Sequence, residues 1–444
     1  MPKSLQDRRK SGKKPHAAAR PASREVPETR ARHEPPSAVP AGAVQISRRA
    51  ADRLRAGHVW VYRSDVEVWP AAQESLPAGL LPVADRRGAV LGTALYSPAS
   101  EIALRLVSPD LLTDESTWLD LLRARLRAAI ARRQPLLDAE NDACRLVFSE
   151  ADELPGLTAD RYAGLVIVQL RHKALDTDAT RAAVAETLRD ALDPDTILER
   201  EDPRIRELEQ LSSPASATLY ARDPEHPVTQ TVFRLNGLRF HFDAASGQKT
   251  GAFLDQRENY AAAARHARGE ALDVCTYQGG FALHLARVCP RVTGVDVSRA
   301  ALEVAERNVE ENRAALTAAV DWVEADAFDL LRGWSDAGTQ YDTIVLDPPA
   351  FAKSKRAVEG ALRGYRELNL RAMKMLRPGG RLITCSCSHH VSLDDFLETL
   401  RAAAGDAHRR MRQLEIRGAA ADHPVILNIQ ETEYLKCVVL EAED

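Results

Sequence analysis

Between residues 44 and 107 the apolar positions come in short runs, HVWVY, GLLPVAD, GAVLGTALYS and IALRLVS, broken by turn residues such as Arg87-Gly88 and Ser97-Pro98. Short runs with turns between them predict the strands of a small β-barrel module. Residues 115–133 (ESTWLDLLRARLRAAIARR) instead repeat Leu and Ala at helical spacing and predict an amphipathic helix. A mixed α/β section follows. CRLVFSE, a hairpin across ADRYAG into LVIVQL, and TILER read as strands, with a helix near 177–192. Pro214, Pro224 and Pro227 then mark a polar linker.

From about residue 270 strands and helices alternate. ALDVC leads through a Gly-bearing turn into helix GFALHLARV, and RVTGVDV leads into helix RAALEVAERNVEEN with Ser298 as its N-cap. VDWVEAD, YDTIVLD, helix ALRGYRELNLRAMKML and strand GRLITCSC complete the series. Alternation of this kind implies βαβ units and a Rossmann-like, doubly wound parallel sheet, with ligands at the C-terminal ends of the strands. The expected division is a tail over 1–42, a β-rich module over 43–110, a middle α/β domain over 111–230 and an α/β sheet domain over 231–444.

The net charge of −4 hides an asymmetry. Residues 1–40 hold ten Lys/Arg against four Asp/Glu and seven of the 24 prolines, and the first aromatic residue is Trp60. Such a segment cannot bury a core and reads as a disordered basic tail. The remaining chain carries −10, so any nucleic-acid site on it has to be a local patch. No apolar run approaches the ~18 residues of a membrane span, the start lacks an apolar secretory segment, and the six cysteines are scattered. The expectation is a cytoplasmic protein without membrane contact and without a disulfide framework.

Chemistry concentrates at the strand ends. LDVCTYQGGFALHLA is not a G-x-G-x-x-G dinucleotide turn. However, the next strands end in Asp296 and Asp326, where a carboxylate can take ribose hydroxyls and an adenine amino group. Asp273, Asp296 and Asp326, with Tyr277, Gly279 and Gly280 of the turn, favour an S-adenosylmethionine pocket over three unrelated surface acids. In SGQKTGAFLDQRENY (246–260), Gly247 and Gly251 flank Lys249 in a loop suited to lie over a cofactor or phosphate, and Gln256 and Arg257 are candidates for a methionine carboxylate; by spacing alone a solvated helix start is an equal alternative. VLDPPAF (345–351) is a stiff loop at a strand end. Asp347 offers a carboxylate to the edge of a planar base, while Pro348, Pro349 and Phe351 supply walls; Lys353 follows. Residues 353–377 carry eight Lys/Arg and two Asp/Glu, either a solvated helix face or a phosphate-contacting patch.

LITCSCSHHV (382–391) places Cys385 and Cys387 at another strand end. Zinc needs four ligands, usually with C-x-x-C spacing and a second pair, and a redox pair normally reads C-x-x-C at a helix start. Beside a base-gripping loop, a cysteine nucleophile is favoured. Methylation at carbon 5 of a pyrimidine requires one, because thiolate addition at carbon 6 makes carbon 5 nucleophilic. His389 and His390 read as strand-exit residues, with proton handling left open.

EADELPGLTADRYAGLVIVQL, SGQKTGAFLDQR, LDVCTYQGGFALHLA, VLDPPAFAKSK, LRGYRELNL, ITCSCS and ADHPVI together resemble the bacterial ribosomal large-subunit methyltransferase I family, which makes 5-methylcytosine in 23S rRNA. The resemblance runs from about residue 44 to the C-terminus and leaves out the tail. It implies a PUA domain, a middle α/β domain and a class I methyltransferase domain. It also implies S-adenosyl-L-methionine as cofactor and 23S rRNA or a large-subunit assembly intermediate as partner; a homodimer stays open. The family nucleophile falls on Cys387, with Asp347 as the D-P-P acid and Cys385 as a strand residue behind. Two alternatives remain: an rRNA guanine methyltransferase, which needs no nucleophile, and a non-catalytic RNA-binding assembly factor.

Overall fold

The four apolar runs before residue 109 do form strands. They are β2 (Trp60–Val61), β4 (Gly79–Asp85), β5 (Val90–Tyr96) and β6 (Leu104–Ser108), joined by β1 (Val44–Ile46) and β3 (Val66–Val68) in a six-stranded sheet of order β2-β6-β5-β4-β1-β3. This computed structural model describes residues 39–72, 75–112, 114–212, 216–245, 252–352 and 354–443, so most of the expected tail (1–38) lies outside the described residues. A helix, α1 (Arg48–Arg55), packs Ala50, Ala51 and Leu54 into this module, and Ser47 caps it by accepting the Ala50 N–H at 3.2 Å. Its RRAADRLR sequence hides the apolar stripe among arginines.

The middle domain begins with α2 (Glu115–Arg133), over the residues its spacing predicts, capped by Asp114 and buried along Trp118, Leu122, Leu126 and Ile130. β7 (Ala143–Phe148), β8 (Leu157–Tyr162), β9 (Leu165–Leu170), β10 (Thr196–Glu199) and β11 (Thr218–Ala221) form a five-stranded sheet in the order β11-β10-β9-β8-β7. Two further helices carry side-chain caps: α3 (Asp178–Leu192) from Thr177 and α4 (Pro203–Glu209) from Asp202. Beyond the linker prolines comes an unanticipated hairpin, β12 (Gln230–Leu235) and β13 (Leu238–Asp243). It turns at Asn236-Gly237, both with positive φ (52° and 78°), the backbone that tight hairpins require. Phe242 on this hairpin stacks on Tyr162 at 4.0 Å and so ties the middle sheet to the next domain.

The third domain holds α5 (Arg257–His266), β14 (Glu270–Val274), α6 (Gly280–Ala286), β15 (Arg291–Asp296), α7 (Arg299–Asn312), β16 (Val320–Glu324), α8 (Ala327–Asp336), β17 (Tyr341–Leu346), α9 (Val358–Lys374), β18 (Leu376–Ser386), α10 (Leu393–Asp406), β19 (Met411–Arg417) and β20 (Lys436–Ala442). The sheet order is β16-β15-β14-β17-β18-β20-β19. The first five strands are parallel, as expected. The last two depart from that expectation: β20 runs antiparallel to both β18 and β19. A parallel pair needs a helical crossover, and residues 418–435 contain only one 3-10 turn. The order reverses between β14 and β17, which opens a crevice at their C-terminal ends. Among the described residues no helix is long and apolar enough to cross a membrane.

One buried cluster joins the last two domains. Arg133 at the end of α2 grips Asp152 with both guanidinium nitrogens, at 2.6 and 2.7 Å, and donates to the backbone carbonyl of Asp422 at 3.0 Å. The Asp422 carboxylate accepts the Arg145 backbone N–H at 2.8 Å and meets His423 Nδ1 at 3.0 Å. All four side chains, Arg133, Asp152, Asp422 and His423, are buried. The first module reaches the same C-terminal segment through His58, 3.1 Å from Glu431, and through Asn428, which donates to the Ala56 carbonyl.

Asp152→Ala strands the Arg133 charge in the interior, which should destabilise the protein by about 3–5 kcal/mol. A fall in the urea midpoint reads this directly; a midpoint equal to that of the parent would mean the pair does not hold the joint.

Candidate active site

After β14 the chain turns through Cys275 and Tyr277, both in the left-handed region (φ 64° and 52°), and then Gly279 (φ 84°). Two non-glycine residues of this kind, one residue apart, persist only where the surroundings over-determine them. Asp273 supplies that constraint. Its Oδ2 accepts from Thr276 Oγ1 and, at 2.9 Å, from the Ala282 N–H in the first turn of α6. The carboxylate lies fully buried beneath the turn, and burial pushes its pKa up to about 7. Asp273 therefore does not line the crevice, contrary to its expected role as a cofactor contact. The glycines answer close packing: a Cβ on Gly279 would meet Leu283 at 2.6 Å, and one on Gly280 would lie 2.5 Å from Tyr260 Oη.

The crevice is a cleft of about 1440 Å³, and it gathers Gln256, Tyr277, Asp296, Asp326, Asp347, Pro348, Pro349, Phe351 and Cys387. On its first half, backbone amides hold the Asp296 carboxylate from behind. The Tyr277 N–H donates to Oδ2 and the Ser298 N–H to Oδ1, both at 2.9 Å. Beside it Val297 is 71% exposed, an apolar side chain at a cleft surface that a flat ring would cover. Asp326 caps α8, its Oδ1 accepting the Phe328 and Asp329 N–H groups at 2.9 and 3.1 Å. Two fixed carboxylates flanking exposed apolar surface fit the hydroxyls and base of a nucleoside.

The second half gathers the Asp-Pro-Pro loop and the Cys387 thiol. Asp347 follows β17 and accepts Gln256 Nε2 at 3.0 Å, while Gln256 Oε1 takes Asn259 Nδ2 at 2.7 Å. Pro348 is buried and Pro349 exposed. Phe351 packs on Tyr365 at 4.8 Å and Phe328 at 5.9 Å. Cys387 sits one residue past β18, its Sγ 3.8 Å from the Pro348 carbonyl. Ser388 fixes that distance by accepting the Ala352 N–H at 3.2 Å and meeting Tyr365 Oη at 2.8 Å. Below the strand exit, buried Lys436 donates to the carbonyls of Ser388, Val391 and Tyr434, each at 2.8 Å. Cys385 is fully buried opposite Cys437 of β20, and the neighbouring thiol together with burial raises its pKa. It sits deeper than the half-buried Cys387.

Three expectations fail or fall elsewhere. Arg257 is buried beside Glu258 (3.4 Å) and Asp422 (3.8 Å) and lines no part of the cleft; its helix turns it to the domain joint instead of toward a ligand. The basic stretch 353–377 is partly neutralised, with four of its eight Lys/Arg ion-paired among the described residues: Arg363 with Glu359, Arg366 with Asp406, Arg371 with Glu367 and Asp336, and Arg377 with Glu270 and Asp342. Lys353 and the loop with Gly247, Lys249 and Gly251 lie outside the described residues. Sequence reasoning missed the facing wall, built from Arg145, Gln169, Arg171, Asp255, His423 and Tyr434. Tyr434 Oη donates to Asp255 Oδ2, which joins FLDQR to the segment before β20. The available signals were the quoted stretches that contain Gln169, Asp255 and His423, none of which said that these residues would face one another.

A family model described as S-adenosylmethionine-dependent methyltransferase matches residues 149–422, and a PUA-like domain model matches residues 44–109. The chain is 37% identical over 383 residues to the Ribosomal RNA large subunit methyltransferase I of Erwinia tasmaniensis, covering 85% of this chain and 94% of that protein. It is 35% identical to the Ribosomal RNA large subunit methyltransferase of Deinococcus radiodurans, covering 92% and 99%. In fold it is similar to SMU.776, a methyltransferase solved in complex with SAH (TM-score 0.75, 20% identity, 90% of this chain and 99% of that one).

The raised Asp273 carboxyl has a pH signature. The unfolded chain releases this proton near pH ~4, whereas the folded protein keeps it up to about pH 7. The folded state binds more protons in that interval, so this group makes stability fall as pH rises through it. Urea midpoints measured across the interval should decline less in Asp273→Asn than in the parent; identical pH slopes would exclude the effect.

Proposed function

The chain belongs to the S-adenosylmethionine-dependent methyltransferase family that includes the ribosomal RNA large-subunit methyltransferases I, and from that premise we propose that it forms 5-methylcytosine in large-subunit (23S) rRNA through a covalent adduct on Cys387. The observation that carries this reading is the 3.8 Å approach of Cys387 Sγ to the Pro348 carbonyl, which puts the thiol and the Asp347 carboxylate on one wall of one cleft. An enzyme that alkylates a ring nitrogen or an exocyclic amine has no use for a thiol there.

Bound S-adenosylmethionine supplies an electrophilic methyl group. Asp296 and Asp326 hold its nucleoside end, with Tyr277 and Val297 against it. Pro348, Pro349 and Phe351 confine the cytosine ring. Cys387 thiolate adds to carbon 6, and a proton held by Asp347 at ring nitrogen 3 takes up the charge that develops. Gln256 keeps the Asp347 carboxylate in place with its 3.0 Å hydrogen bond. Carbon 5, now nucleophilic, forms the new carbon–carbon bond with the methyl group as the methyl–sulfur bond breaks, with S-adenosylhomocysteine as the leaving group. Loss of its proton then re-forms the double bond and expels the Cys387 thiolate. Cys385, buried against Cys437, takes no part.

Cys387→Ser should lose methyl transfer to 23S rRNA while keeping affinity for S-adenosylhomocysteine, and Cys385→Ser should retain most activity. Full activity of the Cys387 variant would end the covalent mechanism. Asp347→Asn should lower kcat by roughly 10²–10⁴-fold, the usual weight of a positioned acid. RNA carrying 5-fluorocytosine should trap a stable adduct on Cys387. Bisulfite mapping of rRNA from a deletion strain identifies the nucleotide; methylation found on guanine instead would replace the cytosine reading.

A further inference from the structure

Arg145 on β7 and Arg171 just beyond β9 project from the middle domain into the cleft that holds Cys387 and Asp347. Arg145 is matched: it grips Asp160 at 2.6 and 2.9 Å and stands 5.7 Å over the Phe148 ring. Phe148 in turn lies 6.2 Å from Tyr434, and Tyr434 lies 6.2 Å from His389, so this wall continues into the strand exit that bears Cys387. Arg171 is not matched in the same way. Its Nη2 donates to the amide oxygen of Gln169, it makes no ion pair among the described residues, and its Nε is buried without an acceptor. Asp160 and Asp202 act on it only at longer range, and Arg145 is a like-charged neighbour. A guanidinium with unused donors in a partly dry cleft is an anion receptor.

The opposite side of the cleft is mainly acidic, with Asp296, Asp326 and Asp347 against one cation, Arg307, while Arg145 and Arg171 outnumber Asp202 on the middle-domain side. A nucleotide whose base reaches Asp347 and Cys387 has to keep its phosphate away from those carboxylates. The middle-domain wall is where that phosphate can go. We infer that Arg171, flanked by Arg145, forms a phosphodiester subsite that anchors the backbone of the nucleotide presented to Cys387. This assignment rests on the RNA-methyltransferase reading above. It gives the middle domain a substrate role: the sheet that carries Arg145 and Arg171 supplies the grip, and the methyltransferase domain supplies the chemistry.

The test compares the full-length protein with Arg171→Gln and Arg171→Lys, using in vitro transcribed 23S rRNA in filter binding across a KCl series. S-adenosylhomocysteine affinity and melting temperature are measured alongside. Arg171→Gln should bind the RNA roughly tenfold more weakly, as loss of a charge-assisted contact implies. The slope of log K against log salt should become shallower by about 0.7–0.9, one phosphate contact. Arg171→Lys should keep the slope and lose part of the affinity. If the Gln variant does not fold, Arg171→Met, which keeps the apolar stem and removes every donor, replaces it. An unchanged slope and affinity in a folded donor-free variant overturns the subsite alone, and so does a lowered melting temperature with unaltered RNA binding. A wild-type protein that transfers no methyl group to 23S rRNA overturns the functional reading first, and the subsite with it.

Discussion

Asp422 is the point on which the geometry of the cleft depends. It is a buried carboxylate in the methyltransferase domain that accepts the Arg145 backbone N–H of the middle domain and meets His423 of its own, and its backbone carbonyl is held by Arg133 of the middle domain. Arg133 is in turn charge-balanced by Asp152, so a chain of buried polar groups crosses the domain boundary. Buried charges are tolerated when they are paired and hydrogen-bonded, as Arg133 and Asp152 are here. The consequence is directional. A hydrophobic contact would let the two domains slide, whereas these hydrogen bonds fix one relative orientation, and the cleft is the space that orientation leaves.

Within that space, rigid backbone places the reactive groups. The amides of Tyr277 and Ser298 orient Asp296, those of Phe328 and Asp329 orient Asp326, and Gln256 orients Asp347. The proline loop and the Ser388 hydroxyl set the distance to the thiol. Little of this requires a ligand to arrange it. The site is preorganised, the condition under which fixed charges act most strongly on a developing one.

Much of the sheet domain was legible because its strands are continuous apolar runs and its helices carry side-chain caps, as at Ser298. Helix α8 was missed because AFDLLRGWSD lies between two strands with no linker residues, and Asp326 looked like a ligand-binding acid before it looked like a cap. Strands β19 and β20 were missed because alternation ceased to be informative once the chain left its βαβ pattern. At the site, the residues on strand ends were readable from motif and topology together. Asp273 and Arg257 lie away from the cleft lining for one shared reason: sequence adjacency to a ligand-bearing turn does not say which side of the backbone a side chain takes. The wall with Arg145 and Arg171 was invisible, because it comes from a separate domain and no periodicity reports which surfaces will face each other.

Strand β20 carries an implication for how the protein comes into being. It wedges between β18 and β19, pairs Cys437 against Cys385, and through Lys436 holds the carbonyls at the exit where Cys387 sits. Every motif residue of the cleft precedes it in the chain. During synthesis the ribosome releases the nucleotide-binding turn, the proline loop and the thiol well before the strand that fixes the thiol's surroundings. The nascent chain therefore passes through an interval in which it already carries the sequence of a reactive site but not its architecture. Competence arrives with a strand that contains none of the proposed chemistry.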